Sequence, residues 1–242
     1  GGALTLGAGS LSANNKLILQ GGGALTIAGD HTTATGWLNS GRIARNATGA
    51  LALTADSAEA ISFANFPYLA LGANGNVTYT GALTPGRLGY RLGGGTGTLT
   101  LSADAFTSTK PLTIAGSVAA GGTSGKVVLT GTTPAYTGRI DVRGGGLQLS
   151  ALGGIDWSSA GQTLNLSSVA GSFGTTLTLA GDLTIGRATS FVRGATLIDT
   201  GADDLTFTAN LRGTGEASQV VKLGTGSIVV NGTGSNNLGA GA

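Results

Sequence analysis

The 242-residue sequence contains no cysteine, no methionine and a single histidine, His31. Without cysteine there can be no disulfide and no thiolate metal site, which suits a bacterial chain that folds outside the cell without redox help. Only 10 % of residues are charged and 5 % aromatic. Thirteen Lys and Arg stand singly against eleven Asp and Glu, for a formal charge of +2. There is thus no basic run of the kind that tracks a nucleic acid. No stretch approaches the roughly 20 apolar residues of a membrane helix. The opening Gly1-Gly2-Ala3-Leu4-Thr5-Leu6 has neither the basic region nor the apolar block of a signal peptide. Helix signals are also missing. The longest glycine-poor stretch, Leu51 to Leu71, lacks i, i+3, i+4, i+7 apolar spacing and contains Pro67, so almost no helix is expected.

What is present is glycine, 46 residues of 242, well over twice the usual share of roughly 7 %. With 40 % hydrophobic residues the chain is too apolar for disorder. Composition does not shift at any point that marks a linker, so residues 1–242 read as one continuous architecture. A short apolar/Thr alternation closed by a small-residue turn recurs throughout: Ala24-Leu-Thr-Ile-Ala-Gly29, Thr98-Leu-Thr-Leu-Ser102, Pro111-Leu-Thr-Ile-Ala-Gly116, Thr176-Leu-Thr-Leu-Ala-Gly181 and Asp204-Leu-Thr-Phe-Thr208. Period 2 bounded by Gly, Asn, Asp and Ser is the strand signal. Strands of about four to six residues cannot each bury a core alone, and one unit returning at irregular intervals points to a solenoid with variable loops. The expected fold is all-β, a parallel β-helix with inward ladders of Leu, Ile and Val and outward ladders of Thr. At about 20 residues per coil it has about a dozen coils stacked roughly 4.8 Å apart, a rod on the order of 55 Å long.

An antiparallel sandwich or barrel also has short strands and glycine-rich turns. Hairpins, however, favour Asn-Gly or Asp-Gly turns, and Asn74-Gly75 and Asn231-Gly232 are the only such pairs. Sandwich cores lean on large aromatics, which are scarce here.

One region carries a resemblance. The run Gly125-Lys-Val-Val-Leu-Thr-Gly131 is followed by Tyr136-Thr-Gly-Arg-Ile-Asp-Val-Arg-Gly-Gly-Gly-Leu-Gln-Leu149. Together they resemble the autotransporter-associated β-strand repeat, whose pattern is G-x-G-x-(L/V)-x-L-(S/T)-G, an aromatic-Thr-Gly, a strand and G-x-L-x-L. Upstream, Ala64-Asn65-Phe66, Leu69-Ala-Leu-Gly72 and Tyr79 to Leu101 are similar to long repeat proteins of planctomycetes and related bacteria. The detailed match covers about a third of the chain. The resemblance implies a right-handed β-helix within a large surface or secreted protein serving as a stalk, adhesin or fibre, with no shared catalytic residues. The chain departs from the repeat at Thr132-Thr-Pro-Ala135, and nothing resembles the C-terminal membrane barrel of autotransporters. It starts and stops within its own pattern, at Gly1-Gly2-Ala3-Leu4 and Asn237-Leu238-Gly239-Ala240. That points to a fragment of a longer solenoid, or a protomer whose open ends stack on the next.

Candidate chemistry is thin. Gly93-Gly-Gly-Thr-Gly97 precedes a strand rather than a helix, so it does not cradle a dinucleotide. Gly125-Lys126 lacks the glycine and the Ser/Thr of a phosphate loop, with Ala120 and Val127 at those positions. Calcium-binding nonapeptide coils are absent. Asp199, Asp203 and Asp204 with Arg193 nearby are the densest acidic cluster. Carboxylates on an outer face could serve a polysaccharide lyase or glycosidase, or simply form a turn. Such an enzyme would want an aromatic cleft, for which Trp37 and Trp157 are the candidates. His31 reads as a loop residue rather than a metal ligand. Tyr68, Tyr79, Tyr90 and Tyr136 either line a binding stripe or cover ends and loops. Sequons begin at Asn46, Asn76, Asn165 and Asn231. No catalytic, cofactor-binding or metal-binding residue and no cofactor is expected.

The function expected is that of a non-enzymatic bacterial extracellular or cell-surface structural protein, associating head to tail as a fibre or continuing within the same chain as a stalk. The alternatives are an adhesin passenger binding surface glycans, for example through a loop at Thr54 to Leu71, and a carbohydrate-active enzyme.

Overall fold

The computed structural model of the chain describes residues 3–12, 14–20, 23–114, 125–131, 136–149, 154–159, 161–168, 174–214, 218–232 and 236. The departure from the repeat at Thr132 to Ala135 and the terminal segments Gly1-Gly2 and Asn237 to Ala240 lie outside them. The chain winds as a parallel β-solenoid with three faces. The first face is a ten-stranded sheet of Ala3–Leu4, Ala24–Thr26, Ala50–Leu53, Ala70–Ala73, Tyr90–Gly95, Leu112–Ile114, Ile140–Arg143, Thr163–Ser167, Ala188–Arg193 and Leu211–Gly213. The second is a seven-stranded sheet of Asn76–Tyr79, Thr98–Ser102, Lys126–Thr130, Gly145–Leu149, Thr175–Leu179, Ala195–Asp199 and Gln219–Leu223. The third is shorter and interrupted: Ile61–Ser62 beside Leu83–Thr84, isolated bridges from Leu83 to Phe106 and Tyr136 to Ile155, then Leu183–Ile185, Leu205–Phe207 and Ile228–Val230.

Every named strand pair is parallel, which excludes the sandwich. Asn74-Gly75 does not close a hairpin; Gly75, at φ +108°, turns the chain from the first face to the second. Period 2 explains the packing. Alternate residues of each short strand point inward, and parallel register places like on like. On the first face Leu25, Leu51, Leu71, Leu92, Ile114, Val142, Leu166 and Phe191 form one inward ladder. On the second, Val77, Leu99, Val127, Leu147, Leu177 and Ile198 form another. All are buried within one hydrophobic cluster running from Leu19 to Leu211, each side chain contributing roughly 1.5–3 kcal/mol. The outward ladders are mixed rather than uniform threonine: Thr78 and Thr100 continue as Val128 and Gln148.

Coils are longer than the expected 20 residues. First-face partners are separated by 20 residues from Ala50 to Ala70 but by 28 from Leu112 to Ile140. The described chain therefore makes about nine turns rather than a dozen. One coil carries the six-residue helix Ala34–Asn39, capped by Thr33, whose hydroxyl accepts the Gly36 amide. From the next coil, Glu59 accepts the amides of Ala34 and Thr35. Thr54 to Leu71 is no free loop. Ile61, Phe63 and Phe66 are buried, and the segment forms a coil of the solenoid.

The glycine run Gly93-Gly94-Gly95 does structural work at one close approach. Gly93 and Gly94 bulge where Leu71 pairs with Leu92 and Ala73 with Gly95. All three glycines have positive φ. The bulge laps over the outer face of the sheet until a Cβ on Gly94 would lie 2.6 Å from that of Ala50. Ala24, Ala50, Ala52 and Ala70 form a second apolar cluster there, where no larger side chain would fit beneath the backbone.

Candidate functional site

The acidic cluster is spent on turns. Asp199 accepts the Gly201 amide at 3.1 Å, and Asp203 accepts the Gly181 amide of the preceding coil at 2.8 Å. The Asp182 carboxylate accepts the Asp204 amide at 2.8 Å, and Asp204 in turn accepts the Ser227 amide and hydroxyl at 2.7 and 2.8 Å. These bonds, chiefly that from the Ser227 amide, hold the Asp204 carboxyl below its usual range. The same device recurs elsewhere: Asp56 accepts the Thr78 amide, Asp30 the Gly9 amide and Asn74 the Thr96 hydroxyl. Each links residues about one coil apart. Arg193 lies on the first face and makes no ion pair with the cluster among the described residues. No group of three or more His, Asp or Glu within metal-binding reach occurs among them either.

The aromatic candidates are core residues. Trp37 and Trp157 are buried, as are Tyr79, Tyr90 and Tyr136. Trp157 borders an open surface groove with Asp156, Asp182 and Thr184, and the three tyrosines plug corners instead of forming a stripe. The Tyr79 hydroxyl donates toward the Glu59 and Ala82 carbonyls, both at 2.9 Å. The Tyr136 hydroxyl donates toward those of Lys110 at 2.6 Å and Arg139 at 3.3 Å. Tyr90 accepts the Ser108 amide at 2.8 Å. Burial pushes the Tyr79 phenol up to about 12, and raises that of Tyr136 as well. Tyr68 alone is exposed. His31 packs edge-on against Trp37, ring centres 4.9 Å apart. Of the sequons, Asn46, Asn76 and Asn231 are exposed, whereas the Asn165 amide is engaged with Asp141. Gly125 leads directly into the strand Lys126–Thr130, and Gly97 into Thr98–Ser102.

A residue that composition and pattern gave no reason to select is Arg187. Its side chain is fully buried. The guanidinium donates to the carbonyls of Gly138 at 2.6 Å, Asp156 at 2.9 Å and Tyr136 at 3.1 Å, and sits 5.5 Å from the centre of the Trp157 ring. It pins three successive coils at one corner of the third face.

Charge is distributed unevenly. The outward row of the first face reads Arg91, Thr113, Asp141, Asn165, Ser190 and Arg212. Beside it runs Arg143, Ser167, Arg193, and Arg139 flanks Asp141 on the other side. Five arginines thus share one face with a single carboxylate among the described residues. Asp141 is buried beneath Arg139, 2.9 Å away, with Arg143 at 3.8 Å.

The two ends of the described solenoid differ from its middle: Ala3–Leu4 in the first coil is exposed, and so is the last described coil. Every residue of Gln219–Leu223 is exposed, and Val220, Val221, Leu223, Val229 and Val230 are among the most exposed large apolar side chains. Val220 continues the inward line of Thr196, and Val230 that of Phe207. Lys222 occupies the next place on the ladder of Leu177 and Ile198, and its ammonium turns back to the Gly224 carbonyl at 2.8 Å. No helix of the described residues is long and apolar enough to cross a membrane. No protein-family model, no curated protein and no solved structure matches the chain significantly.

Proposed function

We propose that the chain is a non-enzymatic structural segment of a bacterial extracellular or cell-surface protein, a β-solenoid rod that lengthens by stacking one coil on the next. The observation that carries this reading is the terminal coil. The inward lines of Thr196 and Phe207 pass to Val220 and Val230, 39 % and 40 % exposed, on strands that pair along one edge only among the described residues, while the second-face ladder of Leu177 and Ile198 reaches Lys222. An unpaired strand edge is a template for another strand. The apolar ladder supplies the burial that would hold it. A further coil of the same chain makes a stalk; the first coil of a second copy makes a fibre, the open-ended heterologous case.

Two further observations favour a structural role. Asp203, Asp204 and three of the four tyrosines spend their polar atoms on backbone groups between coils, and Asp199 on its own turn. The absence of cysteine and the resemblance to autotransporter-associated repeats, with the right-handed winding those imply, agree with a secreted rod. The test is sedimentation of the chain over a range of concentrations, with Val220→Asp/Val230→Asp beside it. Concentration-dependent elongation that the double substitution abolishes supports stacking. A wild-type chain that stays a single short particle at every concentration contradicts it.

A further inference from the structure

Of the five first-face arginines, Arg193 and Arg212 make no side-chain hydrogen bond or ion pair among the described residues, and Arg143 reaches Asp141 only at 3.8 Å. The chain has thirteen cationic and eleven acidic residues. Ten of the acidic residues are described; with five arginines and one aspartate on this face, eight cations and nine described carboxylates lie elsewhere, so the face is basic on a rod whose other described surfaces are close to neutral. Arg143, Arg193 and Arg212 are exposed. Arg91, partly buried, has its Nε on the Tyr68 carbonyl. Its basicity is lowered first by burial and then by the proximity of Arg143. Like charges held this close weaken the folded state, and Asp141 alone offsets them. A rod with so few charges had room to place these elsewhere.

We propose that this face binds a linear acidic polysaccharide lying along the rod axis, its carboxylate or sulfate groups held by Arg143, Arg193 and Arg212 with Arg91 and Arg139 at the margin. The chemistry fits at three points. Each guanidinium presents a planar fork that matches carboxylate or sulfate bidentately, and all five cations are arginine. Between them stand Thr163, Asn165, Ser167 and Ser190, donors and acceptors suited to sugar hydroxyls. The cations also recur along the axis. Arg143, Ser167 and Arg193 occupy successive coils in one row, so the two arginines stand about 10 Å apart along the backbone with a hydroxyl-bearing residue between them. A nucleic acid would be served by exposed aromatics on which bases stack, and none of the residues in these two rows is aromatic.

The experiment measures binding of the intact chain to polygalacturonate and to a sulfated polysaccharide. Neutral dextran and single- and double-stranded DNA of equal charge are run in parallel at several salt concentrations. The variant Arg143→Gln/Arg193→Gln/Arg212→Gln leaves Arg139 to pair with Asp141, and circular dichroism checks its fold. A control, Lys16→Gln/Arg45→Gln/Lys126→Gln, removes the same charge from other surfaces. The account expects salt-sensitive binding to an acidic polysaccharide and none to dextran. The face variant should weaken it about tenfold, each exposed contact being worth roughly a factor of two to three, and the control by less than about twofold. Which polymer binds more tightly distinguishes carboxylate from sulfate as the source of the anion. Absence of binding to both overturns the proposal, as does an equal loss in the two variants. Tighter binding to either DNA at matched charge overturns it in favour of a nucleic-acid surface. A rod that elongates normally but binds no polysaccharide loses this inference and keeps the structural one.

Discussion

Replacing Arg187 by methionine keeps much of the aliphatic length of the side chain and removes the group that ties three coils together. The guanidinium gives its protons to the carbonyls of Tyr136, Gly138 and Asp156, all within 3.1 Å, in a site closed to water. Methionine donates to none of them; the Tyr136 carbonyl keeps the Asp156 amide, whereas those of Gly138 and Asp156 lose the guanidinium at about 1–3 kcal/mol each. Against that, the variant no longer holds a charge away from water, itself an effect of several kcal/mol. Together these terms leave a net loss of about 2–4 kcal/mol. Alanine adds a void of about 80 Å³ and thus about 2 kcal/mol more. Lysine keeps the charge but cannot span three carbonyls with a planar fork, so the order of stability is Arg, Lys, Met, Ala. Urea unfolding followed by circular dichroism gives the magnitudes. Amide exchange gives the location: protection should fall first around Tyr136 to Val142, Ile155 to Ser158 and Leu183 to Phe191. A methionine variant within about 0.5 kcal/mol of wild type, beyond the usual error of such extrapolations, would refute the reasoning, and so would uniform loss of protection along the rod.

Other consequences follow from the same geometry. The Tyr79 phenol, raised to about 12 by burial, is still protonated in the folded chain at pH values where an unfolded tyrosine ionises. Its stabilising contribution is complete below about pH 10 and declines as pH rises toward 12. Alkaline melting curves should show that decline, and Tyr79→Phe should reduce it, leaving the part due to the raised Tyr136 phenol, at a cost near neutrality of about 1–2 kcal/mol. For Asp204 the sign reverses. Its depressed carboxyl supports the last turn above the ordinary carboxylate range and releases it as pH falls below about 4, so exchange at the Ser227 amide should quicken selectively in acid. Uniform quickening would count against the Asp204 contact. Gly94→Ala forces a side chain into positive φ and against Ala50, an expected loss of about 2–3 kcal/mol. Ala50→Gly in the same chain should restore only the part due to the clash, and full restoration would show that the φ argument is wrong.

The strands were legible in the sequence because period 2 is a local property. Leu-Thr-Ile at 112–114 and Leu-Thr-Phe at 205–207 need no tertiary information to declare an inner and an outer side. The number of coils was not legible, because corners differ in length and nothing in the 28 residues between Leu112 and Ile140 shows which glycines turn the chain and which bulge. The helix Ala34–Asn39 escaped because six residues with Gly36 in the middle cannot display a helical period. The turn-forming reading of Asp203 and Asp204 agrees with the bonds they make. The tyrosines were misplaced because hydropathy treats Tyr as an ambiguous surface residue, whereas three of them carry a hydroxyl to backbone groups at a corner. Arg187 and the arginine face share one cause. Residues isolated in sequence, such as Arg143 and Arg193, become neighbours only once parallel register is known. A buried cation after Gly186 looks the same in sequence as an exposed one.

The central claim is that this chain is one stretch of a rod that continues coil upon coil. Cryo-electron microscopy of the native assembly tests it directly. The account predicts solenoid density running past the coil of Gln219–Leu223 with the same rise of about 4.8 Å per coil, Val220 and Val230 covered, and either a covalent link or a docked second copy visible at the junction. Discrete particles that end at that coil, with both valines facing solvent or a non-solenoid cap, would contradict it.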